Sequence, residues 1–124
     1  MLLYKHRQIF YEVGKFMKTI LCYGDSNTWG HNPDGTGRYP KHIRWPSVLQ
    51  NELGQEFEVV PEGLNGRTTV WDDPVRGEHR NGKAYLLPCL HTHKPLDLVI
   101  LFLGSNDLTS RFSVTSNEIA QSVE

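Results

Sequence analysis

The 124-residue sequence is long enough for one domain with a buried core, and 38% of its residues are hydrophobic and 22% are charged. These values are ordinary for a soluble globular protein. The formal net charge of −1 gives no electrostatic reason to expect nucleic acid or an anionic membrane as a partner. No segment is long and apolar enough to predict a transmembrane helix, so we expect no membrane partner.

The two cysteines, Cys22 and Cys89, are far apart and do not have the spacing of metal ligands. Cys22 lies in an apolar run and is expected to be a small buried core residue. A short chain with two such cysteines does not resemble a disulfide scaffold. Free thiols are in keeping with a reducing compartment, and we therefore expect a cytoplasmic location.

The first sixteen residues are expected to be an N-terminal extension outside the fold. They contain basic residues but lack the apolar core and small-residue cleavage site of a secretory signal. Met17 and Lys18 stand directly before a strand-like run, which is typical of a natural start. The domain is accordingly predicted to cover residues 17–124.

The first elements in chain order are a strand, a long polar loop and a helix. Residues 19–23 form a short apolar run that ends at Gly24, which predicts a strand buried on both faces. A loop rich in glycine and proline follows. Residues 45–54 have apolar positions at helical spacing, with Pro46 suited to the first turn and Gly54 to the position after the last.

The remaining elements continue the alternation of strand and helix. Residues 57–60 predict a strand, 63–74 a loop, and 82–92 a helix that Pro88 kinks or ends. Residues 96–103 (LDLVILFL) give the strongest strand signal. Thr115 and Glu118 form a capping-box pattern that opens a last helix through Val123. This alternation predicts an α/β fold with a parallel sheet and helices on both faces.

Three polar loops follow the three predicted strands, and the carboxyl ends of parallel strands meet at one edge of a sheet. The first loop carries Ser26 after Gly24, the second carries Gly66, and the third carries Asn106. A serine there offers a nucleophilic hydroxyl, a glycine lets a backbone N–H approach a carbonyl, and an asparagine side chain donates hydrogen bonds. Each loop taken alone also fits an ordinary turn.

As an ordered set, these residues resemble the SGNH (GDSL-type) hydrolase superfamily. Ser26 matches its block-one serine, Gly66 its block-two glycine and Asn106 its block-three asparagine. The stretches GDSNTWG, RWPSVL, FEVVPEGLNGRTT, DDP, YLLPCL and PLDLVI are most similar to bacterial aryl esterases and acyltransferases. The resemblance implies a three-layer α/β/α, flavodoxin-like fold of which residues 17–124 are a part, with the C-terminal strands and helices missing.

The resemblance also implies a mechanism. Ser26 attacks an ester carbonyl to form an acyl-enzyme, and the oxyanion is held by the N–H groups of Ser26 and Gly66 and by the Asn106 side chain. Water or another alcohol then accepts the acyl group from a short acyl or aryl ester. No cofactor or metal is implied. Four further residues are expected to support the site: Gly24, Asp25, Gly104 and Asp107.

The base that this family uses, a histidine in an Asp-x-x-His motif, is absent, since no aspartate here has histidine three positions later. Five histidines past residue 17 are expected to lie on surfaces or loops: His31, His42, His79, His91 and His93. Metal binding by His91 and His93 is disfavoured because no carboxylate stands nearby at a matching spacing. We therefore expect a fragment of a longer enzyme, or one completed by a partner. The apolar edge at residues 97–103 would pair with another chain, including a second copy.

Several interpretations stay open at this point. The alternative to an ester hydrolase is an inactive remnant that keeps an acyl pocket, whereas a nucleotide-binding domain lacks its glycine fingerprint here. Arg67 either orients a polar leaving group or pairs on the surface with Asp72 or Asp73. Three tryptophans either wall a pocket or pack in the core: Trp29, Trp45 and Trp71.

Overall fold

The computed structural model describes residues 17–124, and the predicted extension at residues 1–16 lies outside the described residues. The strands are β1 (Lys18–Gly24), β2 (His31–Asn32), β3 (Gly37–Arg38), β4 (Phe57–Gly63) and β5 (Leu98–Phe102). The helices are α1 (Ser26–Trp29), α2 (Trp45–Leu53), α3 (Gly82–His93) and α4 (Ser116–Gln121), with short 3₁₀ turns between several of them. None of the helices in this range combines the length and apolarity needed to cross a bilayer.

The main sheet is parallel and has the order β4-β1-β5. Three successive residues of β1 (Leu21, Cys22 and Tyr23) are fully buried, and because side chains alternate along a strand, both faces of β1 are covered. Cys89 of α3 joins this core, together with partly buried side chains from the neighbouring strands. The predicted α/β fold with a parallel sheet is therefore present, with β1 as its central strand.

The sequence signals at the ends of α2 and at the start of α4 are present in the structure. Pro46 lies in the first turn of α2, and Gly54 follows its last residue with φ 77°, a backbone conformation that favours glycine. At α4, the Thr115 side chain accepts from the Glu118 N–H, and the Glu118 carboxylate accepts from the Thr115 N–H. The capping box is thus confirmed, although α4 ends at Gln121 rather than Val123.

The prediction that Pro88 ends the third helix is wrong, because α3 runs unbroken from Gly82 to His93. Proline removes the N–H that would bond the Ala84 carbonyl, but Pro88 is exposed, so water can bond that carbonyl instead. Asn81 caps the helix by accepting from the Ala84 N–H, and buried Cys89 anchors the turn that follows the proline.

Two features of the loops and edges differ from a simple three-stranded pattern. Within the predicted polar loop, β2 and β3 form a short antiparallel hairpin. Strand β5 lies at an edge of the described sheet, where Leu98, Leu101 and Phe102 are between 42% and 50% exposed. Association with another chain through residues 97–103 stays a prediction.

Candidate active site

The strand register brings the three predicted loops to one end of the sheet. Gly24, the last residue of β1, lies opposite Gly63 on β4 and Phe102 on β5. Ser26 follows Gly24 by two residues, and Gly66 follows Gly63 by three. Asn106 follows Phe102 by four residues, so three segments that are far apart in sequence leave the same end of the sheet.

Asp25 and Ser26 begin the first of these segments, helix α1. Asp25 is the N-cap, and its carboxylate accepts from the Asn27 N–H at 2.9 Å and from the Asn27 amide at 3.2 Å. Burial raises the pKa of Asp25, and the hydrogen bonds from Asn27 oppose that rise. Ser26 is the first helical residue and is partly exposed.

Two glycines let α1 lie directly against the sheet. A Cβ atom at Gly24 would stand 2.0 Å from the Thr28 hydroxyl oxygen, and one at Gly63 would stand 2.2 Å from the Trp29 nitrogen. Gly24 has no left-handed backbone angle, so close approach, and not a sharp turn, is what requires glycine there. These close contacts set how far Ser26 lies from the ends of β1 and β4.

The second segment is tied to the first through the Gly24 carbonyl. That oxygen accepts from the Leu64 N–H at 3.1 Å and from the Arg67 guanidinium at 3.0 Å. Gly66 has φ 76°, the left-handed region that glycine adopts without strain. The loop around Gly66 is therefore held at both of its ends.

The third segment is tied to the second through Asn106 and Asp107. The Asn106 side-chain amide donates to the Arg67 carbonyl at 3.0 Å. Fully buried Asp107 accepts from the Thr69 N–H at 3.0 Å and also from the Thr69 hydroxyl. Gly104, at φ 119°, turns the chain out of β5 into this loop.

Arg67 does not take the surface role that was one of the two expected for it. Its side chain is buried (3% exposed) and stacks on Tyr23, with the guanidinium carbon 4.0 Å from the ring centroid. It also donates to the Glu62 carbonyl at 2.6 Å. Burial lowers the pKa of Arg67, and Tyr23 and Glu62 oppose that change. The surface pairing with an aspartate is therefore wrong, and Asp73 pairs with Arg111 at 2.9 Å instead.

The backbone N–H groups of Ser26 and Gly66 have no acceptor among residues 17–124. One N–H of the Asn106 amide is engaged by Arg67, and a second remains on the same nitrogen. The hydrogen bonds of the described residues thus leave three donors near the strand ends free to meet a ligand oxygen.

The histidines past residue 17 make no hydrogen bond to the Ser26 side chain in the part of the chain that the structure describes. His91 and His93 lie in the last turn of α3, not in a loop, and the His93 Nε2 is 2.7 Å from a Glu62 carboxylate oxygen. The carboxylate that local spacing did not offer comes from a distant part of the chain, because Glu62 reaches His93 from a strand 31 residues earlier.

Trp29 and Trp45 belong to the layer around α1. The Trp45 indole N–H donates to the Thr28 hydroxyl at 3.2 Å, and its ring meets Phe102 edge-on. Trp29 carries the Arg38 guanidinium 4.2 Å above its ring. These rings are partly buried, so they pack against the site loops while keeping some surface exposed.

Comparisons with known proteins give the chain its family. The model of the GDSL-like lipase/acylhydrolase family matches residues 22–122. An arylesterase of Vibrio mimicus is 34% identical over 104 residues, which are 79% of this chain and 44% of that protein.

Two solved structures extend the comparison. A carbohydrate acetylesterase family member from Sinorhizobium meliloti is 50% identical (TM-score 0.83), covering 86% of this chain and 50% of that one. The native aryl esterase of M. smegmatis is 48% identical (TM-score 0.81), with 86% and 51% covered. The chain spans about half the length of these relatives, and it belongs to the GDSL-like lipase/acylhydrolase family.

Proposed function

We propose that this chain carries the nucleophile and the oxyanion donors of a serine ester hydrolase. The observation that supports this most directly is the pair of unengaged N–H groups at Ser26 and Gly66, in segments that leave the same end of the sheet as the one carrying the Asn106 amide. Donors that are already held in place stabilise developing negative charge without reorganising during the reaction. Hydrogen bonds centred on Arg67 hold the loops in that arrangement.

In the proposed reaction, the Ser26 hydroxyl oxygen attacks the carbonyl carbon of an ester. The carbonyl oxygen becomes an oxyanion bound by the Ser26 and Gly66 N–H groups and the Asn106 amide. Collapse of this intermediate breaks the ester C–O bond, releases the alcohol and leaves an acyl group on Ser26. Water then releases the acid, or a second alcohol takes the acyl group in a transfer reaction.

The proton of Ser26 needs an acceptor for this reaction. A serine hydroxyl is a weak nucleophile without an adjacent base, and the chain has no Asp-x-x-His sequence. We therefore propose that residues 1–124 alone turn over esters weakly and that a histidine from elsewhere completes the site. The alternative function is an acyl-binding remnant that does not react.

The proposed substrates are esters of short acyl groups with aryl or carbohydrate alcohols. Both classes of alcohol occur among the relatives, since one relative is an arylesterase and another is a carbohydrate acetylesterase family member. A small ester is the expected partner. A cytoplasmic location stays a prediction.

The test combines covalent labelling with turnover. With imidazole added as the proton acceptor, a fluorophosphonate probe should add once per chain at Ser26, detected by mass spectrometry, and Ser26→Ala should abolish the adduct. Ser47→Ala, in helix α2, is the matched control and should label normally. Hydrolysis of 4-nitrophenyl acetate should be slow, and added imidazole should raise the part of the rate that depends on Ser26. Equal labelling of Ser26→Ala and the unchanged chain would contradict the proposal, and absence of labelling in both would favour the remnant.

A further inference from the structure

Away from the Ser26 loops, three side chains from two elements bring a carboxylate, a thiol and an imidazole together. The Glu62 oxygen, Cys89 sulfur and His93 nitrogen all lie within 4.8 Å of one another. Cys89 and His93 are four residues apart on α3, so they lie on one helix face. Glu62 is on β4, two residues after Val60, and therefore points to the same sheet face as that core residue.

We propose that Glu62, Cys89 and His93 bind a divalent transition-metal ion, with Zn²⁺ as the best match. Sulfur, imidazole nitrogen and carboxylate oxygen are the three donor types that Zn²⁺ takes in proteins, whereas Mg²⁺ and Ca²⁺ prefer oxygen alone. The proposal does not depend on the esterase reaction.

The geometry needs only small movements to accept the ion. Tetrahedral Zn²⁺ sets its ligand atoms about 3.3–3.6 Å apart, given bond lengths of about 2.0–2.3 Å. The nitrogen–oxygen separation of 2.7 Å would open slightly, and the sulfur, within 4.8 Å of both atoms, would adjust its distance. Rotation about side-chain bonds provides both changes, because the side chains of His93 and Glu62 are about one-quarter exposed. That exposure also leaves a fourth position for water.

The charges and protons of the proposed site balance. Binding breaks the Cys89 S–H bond, forms a sulfur–metal bond and releases the proton to solvent. One thiolate and one carboxylate then neutralise the 2+ ion, with His93 neutral. Other titratable groups facing Cys89 are Arg67, which favours the thiolate but repels the cation, and the hydroxyl groups of Tyr85 and Tyr23.

An entry route exists for the ion. Glu62 borders a surface cleft together with Leu64 and Tyr85, and its side chain is 23% exposed. Cys89 itself is fully buried, whereas the side chains of Glu62 and His93 are about one-quarter exposed. An ion would therefore meet the carboxylate and imidazole first and the thiol last, so a spectroscopic signal from sulfur reports completed binding.

Co²⁺ is the sharpest probe, because a cobalt–thiolate bond gives a charge-transfer absorption that other ligands do not. The whole chain at pH 8 should give this band at one Co²⁺ per chain, and excess Zn²⁺ should remove it. Cys89→Ala should lose the band. His93→Gln should weaken Zn²⁺ binding about tenfold or more while leaving the fold intact, since it removes one of three protein ligands. His91→Gln, on the same helical turn, is the matched control and should bind normally.

The outcomes separate clearly. Absence of the thiolate band in the unchanged chain would overturn the proposal. A band that survives Cys89→Ala would overturn it as well, by assigning the thiolate to Cys22. Equal Zn²⁺ affinity in His93→Gln and His91→Gln would remove His93 from the ligand set. If Cys89→Ala does not fold, Glu62→Gln and His93→Gln decide the result, because both positions are partly exposed.

Discussion

Asp107 is the buried carboxylate that joins the Asn106 loop to the Gly66 loop, and removing it should cost the fold several kcal/mol. Asp107 is 0% exposed and Thr69 is 4% exposed, so water cannot replace their two hydrogen bonds. Hydrogen bonds to a charged group contribute about 1.5–3 kcal/mol each, and a buried N–H left without an acceptor costs about 1–3 kcal/mol. The carboxylate's own desolvation offsets part of this sum. We expect Asp107→Ala to lower the free energy of unfolding by about 3–5 kcal/mol.

Asp107→Asn is the matched control because it keeps the volume and both contacts. Its amide oxygen can accept from the Thr69 N–H, and its amide nitrogen can donate to the Thr69 hydroxyl. We expect this variant to lose only about 1 kcal/mol, the difference between a charged and a neutral hydrogen bond.

Urea unfolding followed by tryptophan fluorescence measures both variants. A double-mutant cycle with Thr69→Val then isolates the hydroxyl contact, for which we expect a coupling of about 1.5–2 kcal/mol. The reasoning is refuted if Asp107→Ala lies within about 1 kcal/mol of the unchanged protein, or if the cycle gives no coupling.

Two more predictions concern close packing and thiol burial. Gly63→Ala should remove cooperative unfolding or lower stability by more than about 2 kcal/mol, because the new Cβ would stand 2.2 Å from the Trp29 nitrogen. A Cβ at Gly35 would meet nothing within 4 Å, so Gly35→Ala should lower stability only by the ~1–2 kcal/mol that a left-handed backbone costs a non-glycine residue. Equal losses of stability in Gly63→Ala and Gly35→Ala would contradict the packing explanation. Burial raises the pKa of both Cys22 and Cys89 from 9.0 to about 11, so each thiolate is about a hundredfold scarcer at pH 8 than in a free cysteine. Ellman's reagent should therefore label them only after unfolding, and rapid labelling of the folded chain would contradict their burial.

The elements that could be predicted from the sequence are those set by local signals. The apolar run before Gly24 gave β1, because a strand covered on both faces needs apolar residues at every position. Pro46 and Gly54 bounded α2, and the Thr115 capping box opened α4, since each signal acts within a few residues. The ordered serine, glycine and asparagine loops also followed from local reading, because parallel strands place their ends together.

The contacts that could not be predicted join residues that are far apart in sequence and share no recognisable spacing. Arg67 binds the Gly24 carbonyl from 43 positions away, and any backbone carbonyl looks the same in a sequence. Glu62 meets His93 only because β4 and α3 share a sheet face. At Pro88 the local signal predicted a break in the helix, but packing of the helix on both sides of the proline outweighed it.

Arg67 gives the three site loops a common fixed point, and that explains why a buried guanidinium is kept here. Its side chain binds the Gly24 and Glu62 carbonyls at the ends of two strands, while its own carbonyl accepts from Asn106 after the third. Burying this charge without a hydrogen-bonded carboxylate is costly, and stacking on Tyr23 recovers only part of that cost. A neutral side chain would remove the cost but would leave the Gly24 and Glu62 carbonyls without their shared donor. The geometry of the loops, and not their stability, is therefore what the buried charge maintains.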